Sequence, residues 1–316
     1  MTIETGKGIH MKADRFLEAQ GLVSESPVVE SEKRFPDGAH FRIEIPSVEN
    51  PQVLRAVLAE AKERGLVVNR VSQGSGAMML TERELNEMAR IAAGSGIEIS
   101  LFVGPREGWD IGVQSRALDG PALSGQMRGT RHIRYGLEDI LRAVEQGIRG
   151  FLIADLGFLE LVVGMQKDGN LPDNIVWKVS AMLAPSNPIA IAQMERLGAS
   201  TVNVPSDLTL ELFAEMRGAV TIPIDAYVES PDAMGGVVRG HESSDLIAVA
   251  APMYTKFGLR NSTAIYPAGI HLYDYASLLG REKVRRAALA LEWMTRSERE
   301  LIQSKPGALG LGVPEV

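Results

Sequence analysis

The chain has 316 residues, of which 45% are hydrophobic and 23% are charged, and its formal net charge is -7. This composition predicts a globular protein with one large core, and the lack of a Lys/Arg-rich run argues against a nucleic-acid partner. The chain has no cysteine, which excludes disulfides, cysteine nucleophiles and cysteine-ligated iron–sulfur clusters. We expect a cytoplasmic protein that is not membrane-bound, because neither a signal-peptide pattern nor a membrane-length apolar stretch is present.

Residues 1–39 precede the first predicted strand. Within them, residues 12–20 predict a short helix that Gly21 ends, and Pro36, Asp37 and Gly38 predict a turn. We interpret residues 1–39 as a segment that caps one end of the domain that follows.

Strands and helices then alternate along the chain. Strands are predicted at residues 40–45, 67–72, 97–103, 150–155, 175–182, 201–204, 221–229 and 253–259. Helices are predicted at residues 51–64, 81–93, 137–146, 159–167, 188–197, 208–217, 235–248 and 281–302. Eight strands that are each followed by a helix predict an α/β fold, a single (β/α)8 TIM-type barrel over residues 40–304, with residues 305–316 as a loose tail.

The spacing between strands is regular except after the third strand, where residues 104–135 form a long insert rich in Gly and Arg. Long loops in compact domains are often lids or binding loops, and in TIM barrels the loops that follow the strands build the active site. We therefore expect the insert to lie over the C-terminal ends of the strands and to bring Arg106, Trp109 or Arg128 near a pocket.

Apolar and polar residues alternate along the strands. In residues 221–229, Ile222, Ile224, Ala226 and Val228 fall on one face, and Asp225, Tyr227 and Glu229 fall on the other. In a barrel covered by helices, this pattern predicts that the apolar face meets the helices and the polar face points inward. The predicted inward residues are Arg42, Glu44, Arg70, Ser72, Lys178, Ser180, Asn203, Asp225, Tyr227, Glu229, Lys256 and Arg260.

Unpaired buried charges are costly, so these residues are expected to pair with one another or to face a wet pocket. Arg42 and Glu98, which come early in their strands, are expected to be structural ion-pair members. The residues that come late in their strands are expected to line the opening, because catalytic groups in TIM barrels come from the C-terminal strand ends.

This pattern predicts acid/base chemistry of lyase or isomerase type on a small anionic metabolite that carries a carboxylate. Arginines bind carboxylates bidentately, so Arg70, Arg106 and Arg260 are candidates to clamp the anion. Glu44 and Glu229 would exchange protons, and Lys178 or Lys256 would stabilise developing enolate or alkoxide charge. Ser180, Asn203 and Tyr227 are further candidates for binding the substrate. Asp225 is a further candidate for catalysis.

The lysines and carboxylates leave alternatives open. A lysine among other cations loses its proton more easily, so Lys178 or Lys256 could form a Schiff base, or either could simply pair with a carboxylate. Oxygen ligands suit Mg²⁺ or Mn²⁺, which makes a metal site of Glu44, Asp155, Asp225 and Glu229 a further hypothesis.

Two glycine-containing segments are candidates for anion contacts. Residues 71–77, VSQGSGA, follow the second strand and predict a turn that faces a ligand, although they match neither a P-loop nor a dinucleotide motif. Gly235 and Gly236 open the predicted helix 235–248, where free N–H groups could bind an anion, or they could form a plain junction.

The segments FRIEIPS, RVSQGSG, YVESPDAMGG and KFGLRNSTAIYPAGIHL resemble bacterial barrel proteins known as collagenase-like peptidases of family U-thirty-two, over most of residues 40–300. The resemblance implies a barrel and a possible hydrolase. Related members hydroxylate RNA or quinones with a cysteine-bound iron–sulfur cluster, which a chain without cysteine cannot hold, and no residue of a peptidase mechanism maps onto this chain. A non-catalytic small-molecule-binding barrel or complex subunit is a third possibility, and we expect a homo-oligomer.

Overall fold

A computed structural model describes residues 11–22, 29–105, 125–297 and 299–316. In this part of the chain, eight parallel strands follow one another in sequence order around a closed barrel, which confirms the predicted fold class. The strands are β1 Phe41–Pro46, β2 Arg70–Gln73, β3 Glu98–Phe102, β4 Gly150–Ile153, β5 Val176–Val179, β6 Thr201–Asn203, β7 Ile224–Glu229 and β8 Met253–Phe257. None of the helices in this part of the chain is long and apolar enough to span a membrane.

Helices connect the strands on the outside of the barrel. They are α1 Lys12–Ala19, α2 Pro51–Glu63, α3 Glu82–Ser95, α4 Gly129–Glu145, α5 Leu156–Lys167, α6 Pro188–Arg196, α7 Leu210–Ala219, α8 Ser243–Ala250 and α9 Tyr273–Met294. The local signals explain their bounds. The predicted capping box of Thr81 and Glu84 begins α3, and Gly96 ends it in the left-handed conformation with φ +63°.

The main apolar core lies between the barrel and its helices. Ile224, Ala226 and Val228 of β7 are fully buried in it, as the alternation predicts. Matching residues from the other strands, among them Ile43 and Ile99, join the same core. The polar faces of the strands therefore point into the barrel.

The strand register sorts the inward side chains into layers. The strands of a barrel are tilted and staggered, so the residue at the same level two strands along lies two positions beyond the one reached through the strand pairing. Glu44 pairs with Arg70, and Arg70 pairs with Glu98, so the residue level with Glu44 on β3 is Ser100. The same two-residue step leads to Lys178, then to Asp225, and back to Glu44. The central layer is Glu44, Ser100, Lys178 and Asp225. The upper layer, toward the C-terminal strand ends, is Ser72, Leu152, Asn203 and Lys256, and the lower layer is Arg70, Gly150, Thr201 and Tyr254.

The N-terminal end of the barrel is closed by residues from both ends of the domain. Phe35 and Ala39 pack on Tyr254, and Leu311 packs against them. Arg42 donates to the hydroxyls of Ser304 and Tyr254, at 2.9 and 3.0 Å, and to a main-chain carbonyl of the tail.

The prediction of a loose tail at residues 305–316 is wrong, because the main chain of the tail is hydrogen-bonded to the barrel. The N–H of Gly307 donates to the carbonyl of Gly96 at 2.7 Å, and the N–H of Gly312 donates to Glu98 at 3.1 Å. Buried main-chain groups need partners, and the tail supplies them at this end of the barrel.

The helix predicted before β8 is shorter than expected. It covers Ser243–Ala250 and is preceded by 3₁₀ turns at Asp232–Met234 and Gly240–Glu242. Gly235 and Gly236 have φ values of +93° and +64°, which a right-handed helix does not allow. These glycines therefore form a turn and do not present a helix N-terminus to an anion.

Candidate functional site

Glu44 is the centre of an ion network inside the barrel. One of its oxygens accepts hydrogen bonds from Arg70 at 2.7 Å and from Lys178, and the other accepts a hydrogen bond from Ser72 at 2.7 Å and lies 3.5 Å from the ammonium of Lys256. Burial alone would raise the pKa of Glu44, but Arg70, Lys178 and Lys256 hold it well below its ordinary value. Glu44 is therefore a carboxylate at neutral pH and a weak base.

Lys178 is fully buried beneath the upper layer. Its ammonium contacts Glu44 and lies 3.2 Å from Asp225. Burial, together with the positive charges of Arg70 and Lys256, lowers the pKa of Lys178 to about 7, although Glu44 and Asp225 act in the opposite direction. An amine with this pKa can accept and return a proton near neutral pH, as acid/base catalysis requires.

Lys256 lies in the upper layer and is the lysine of this network nearest the open end of the barrel. Its ammonium donates to the side-chain carbonyl of Asn203 at 2.5 Å and lies 4.2 Å from the centroid of the Tyr227 ring. The amide of Asn203 donates in turn to the carbonyl of Val179, which fixes its orientation. Tyr227 is the most exposed of these side chains, so the Lys256 end of the network faces the mouth.

The opposite wall of the mouth is apolar. Phe102, Leu152 and Ala154 form a buried cluster separate from the main core, and Met182 packs against it. Ser180, at the end of β5, lies in the same layer as Phe102 and Tyr227 and accepts a hydrogen bond from the N–H of Met182 at 3.2 Å. One polar and one apolar wall suit a small molecule that carries a charged group on a short carbon skeleton.

Arg70 and Arg260 do not form the predicted anion clamp. Arg70 is fully buried in the lower layer and binds Glu44 and Asp225. Arg260 lies beyond the end of β8, is 55% exposed and lies 3.4 Å from Asp232. Arg106, the third predicted member, lies outside the described residues, as does Trp109.

The prediction that Glu229 points inward is wrong. The pairing of β7 with β8 is irregular between Tyr227 and Glu229, and Glu229 pairs with Phe257, a core residue on the outer face. Because of this bulge, the side chain of Glu229 lies on the outer face of β7 and not on its inner face. Glu229 accepts the N–H of Arg260 at 3.0 Å and lies 3.6 Å from Arg286 on the outer helix α9.

The four carboxylates of the hypothetical metal site are not brought together. Glu44 and Asp225 bind lysine and arginine side chains, and Glu229 lies toward α9. Asp155 caps α5 by accepting the N–H of Phe158 at 2.8 Å, and it also accepts the N–H of Met127. Among the described residues, no three His, Cys, Asp or Glu side chains form a group that could hold a metal ion.

The turn at residues 71–77 does reach the rim, but its N–H groups are occupied by the protein itself. Glu49, which the sequence pattern did not single out, accepts the N–H groups of Gly74 and Ser75 at 2.9 Å each. The ring of Tyr266 lies against Gly74, where a Cβ atom would come within 2.5 Å of it. The hydroxyl of Tyr266 is 2.5 Å from that of Ser47, which has a positive φ of 63°.

Both described ends of the insert lie at the C-terminal strand ends. Gly104 follows β3 and donates to Asp139 of α4 at 3.3 Å. After the undescribed part, Gln126 donates to the carbonyl of Ala154, just beyond β4, at 3.1 Å. The N–H of Arg128 donates to His132 at the start of α4, which begins eight residues before the predicted helix.

A surface cleft of about 850 Å³ lies outside the barrel, between α2, α3 and α9. Two polar pairs lie in it, Arg55 with Glu87 at 2.6 Å and Gln52 with Asp274 at 2.8 Å. It contains none of the predicted site residues, so we place the candidate site at the barrel mouth.

No family model matches the chain, and no curated protein matches it. Among solved structures it is similar to the Streptococcus agalactiae protein CutC, named for copper homeostasis, at 13% identity and a TM-score of 0.46, over 68% of this chain and 97% of that one. It is also similar to a structure described as KDPGal, at 8% identity and a TM-score of 0.45, over 84% of this chain and 100% of that one. The U32 peptidase Mk0906 matches at 16% identity and a TM-score of 0.38, over 65% of this chain and 73% of that one. No family model supports the resemblance to that family.

Proposed function

We propose that this protein is an enzyme that removes or adds a proton next to the carboxylate or carbonyl group of a small acid, as a lyase or isomerase does. The observation that carries this proposal is the line of groups from the mouth to the centre of the barrel. Lys256 lies 3.5 Å from one oxygen of Glu44, and Lys178 binds the other oxygen.

The groups of this line have different tasks. Lys256, nearest the mouth, is placed to bind the substrate anion and to stabilise the negative charge that develops when a proton leaves. Lys178, with a pKa of about 7, takes up that proton, a role that the sequence pattern assigns to Glu44 and Glu229. Glu44 remains ionised and holds both amines in place.

The apolar wall complements this chemistry. Phe102, Leu152 and Met182 would contact the carbon skeleton and exclude water from it. In a site from which water is excluded, the attraction between Lys256 and an anion is stronger than in bulk solvent. The predicted substrate is therefore a small carboxylate with a short apolar portion and a C–H bond next to a carbonyl or carboxyl carbon.

Hydrogen exchange in D₂O tests the proposal without knowledge of the product. The protein is incubated with a panel of small carboxylic and 2-oxo acids, and the loss of C–H signals is followed by proton NMR. We expect exchange of at least one acid, with a loss of at least ~100-fold in Lys178→Arg, which keeps the positive charge but supplies no base. If no acid exchanges and none raises the melting temperature, the proposal of proton transfer on a small acid fails.

The two other functions are distinguished by the same panel. A binding barrel would be stabilised by an acid that shows no exchange. A hydrolase would show neither effect with the acids and would cleave peptide or ester substrates, with an activated water as nucleophile. Glu44, Asp155 and Glu229 each accept hydrogen bonds from an arginine side chain or a main-chain N–H, which disfavours them as activators of that water, and we therefore favour proton transfer.

A further inference from the structure

The two lysines of the network lie on either side of a single carboxylate. Lys178 binds one oxygen of Glu44, and Lys256 lies 3.5 Å from the other. One carboxylate group therefore lies between the two amines. A small ligand with two reactive groups on adjacent atoms suits such a pair of amines.

The central layer also contains two polar atoms that lack a partner. The Oδ1 atom of Asp225 and the Oγ atom of Ser100 are buried, and neither has a hydrogen-bond partner among the residues that the structure describes. Both residues lie at the level of Lys178, and Asp225 Oδ2 is 3.2 Å from its amine. Buried polar atoms without partners are costly, so their presence together indicates the place of a small polar group.

The geometry points to covalent catalysis, in which Lys178 forms an imine with the carbonyl carbon of a 2-oxo acid whose carboxylate binds Lys256. This inference rests on the proposed function and names its substrate class, and it makes Lys178 the nucleophile in place of the base described above. In a 2-oxo acid the carboxylate and the electrophilic carbon are adjacent, which suits two amines that share one carboxylate. The carbonyl oxygen, and the hydroxyl formed from it, would lie among Lys178, Ser100 and Asp225.

The bond changes balance without another reactant. The neutral amine of Lys178 adds to the carbonyl carbon, and one amine proton passes to the carbonyl oxygen to give a carbinolamine. Loss of water, which carries away the original carbonyl oxygen and both amine protons, leaves the C=N bond. The unpartnered oxygen of Asp225 accepts a hydrogen bond from the carbinolamine hydroxyl. Ser100 can donate a hydrogen bond to the oxygen of that hydroxyl.

The charges around Lys178 favour its reactive form. Arg70 and Lys256 face it with positive charge, and Glu44 and Asp225 face it with negative charge. Burial and the two cations prevail and lower the pKa of Lys178 to about 7, so a large fraction of the amine is neutral at physiological pH. The substrate would enter past Lys256, whose amine is the one nearest the open end of the barrel and lies 3.5 Å from Glu44.

Reductive trapping tests the inference. The protein is incubated with pyruvate, glyoxylate, 2-oxobutyrate or 2-oxoglutarate and sodium cyanoborohydride, which reduces an imine to a stable secondary amine, and the modified lysine is located by peptide mass spectrometry. We expect modification at Lys178 by at least one acid, and none in Lys178→Arg. Acetone, which lacks a carboxylate, should react at least ~10-fold more slowly than the preferred acid, and Lys256→Met should lose that preference.

Lys283 provides a matched internal control. It is also buried, with a pKa lowered to about 8 by burial, but it lies on α9 and donates to the carbonyl of Pro46 at 2.9 Å. Modification of Lys283 or Lys256 to the same extent as Lys178, or no modification at Lys178 with any acid, would overturn the inference. Exchange in D₂O without trapping would overturn the imine alone and leave the proposed function standing. If Lys178→Arg does not fold, the peptide map of the unaltered protein still decides.

Discussion

The guanidinium of Arg70 lies 3.4 Å from the centroid of the Tyr254 ring, while its nitrogens bind Glu44 and Asp225 in the layer above. The ring, in the same layer as Arg70, supplies a cation–π contact, and the carboxylates supply opposite charge from the layer above. Arg70 thus connects two layers of the barrel interior. Its positive charge compensates the negative charges of the two buried carboxylates.

We therefore predict that Arg70→Met lowers the free energy of unfolding by about 3–5 kcal/mol, because it leaves buried carboxylates short of a partner. Urea denaturation measures this loss. Arg260→Met is the matched control, since Arg260 is 55% exposed and pairs with Asp232 at the surface; its effect should stay within about 0.5 kcal/mol. Equal effects of the two substitutions would contradict the assignment of Arg70 to the interior.

Glu229→Gln should retain any D₂O exchange activity of the protein, because Glu229 lies toward Arg286 and outside the barrel. The substitution keeps an acceptor for the N–H of Arg260 and removes one partly exposed ion pair, so we expect a stability loss of no more than about 1 kcal/mol. Exchange rates and urea unfolding are measured together. A loss of exchange of ~100-fold, the size expected for a general base, in a variant that remains stable would restore Glu229 as a catalytic group.

The rate of reductive trapping at Lys178 should depend on pH with a midpoint near 7, following the lowered pKa of that amine. Only the neutral amine adds to a carbonyl, so the rate should fall about tenfold for each pH unit below 7 and level off above 8. Surface lysines should still be gaining reactivity over that range. A rate at Lys178 that keeps rising to pH 10 would show that its amine titrates like an exposed one.

Asp139 on α4 should make the protein less stable as the pH rises through 6. Burial raises the pKa of Asp139 to about 6, against hydrogen bonds from Gly104 and Met78 and the charge of Arg142. Between pH 4 and 6 the folded state holds this proton and the unfolded state has released it, so the free energy of unfolding falls as the pH increases. Asp139→Asn keeps an acceptor and should flatten this slope in urea unfolding at several pH values. An unchanged slope would assign the titration to another group.

The period of two in the strands was sufficient to predict the barrel and the inward positions of Glu44, Lys178, Asp225 and Lys256. It failed at Glu229, because a bulge changes the side of the next side chain without any sequence signal of its own. The pattern also predicts that Arg70 and Arg260 lie at the rim. However, β8 ends at Phe257, and Arg260 therefore lies beyond the barrel.

The pattern also does not predict the apolar wall of the mouth. Phe102 and Leu152 point inward, but an apolar residue in a strand is indistinguishable in sequence from one that packs against a helix. Glu49 lies in a loop without periodicity, so its role as the acceptor for two rim N–H groups depends on contacts that only the fold creates.

The closure of the N-terminal barrel end has a consequence for the order of folding. Arg42 finds its partners at Ser304, Tyr254 and Leu309, and Glu98 finds one at Gly312, more than 200 positions along the chain in each case. Such distant contacts carry a large loop-closure entropy and tend to form late. A nascent chain that has emerged only through β4 therefore lacks the hydroxyls of Ser304 and Tyr254 and the main-chain groups of the tail to which Arg42 and Glu98 bind. We expect the half-barrel to remain hydrated and weakly ordered until the final segment docks.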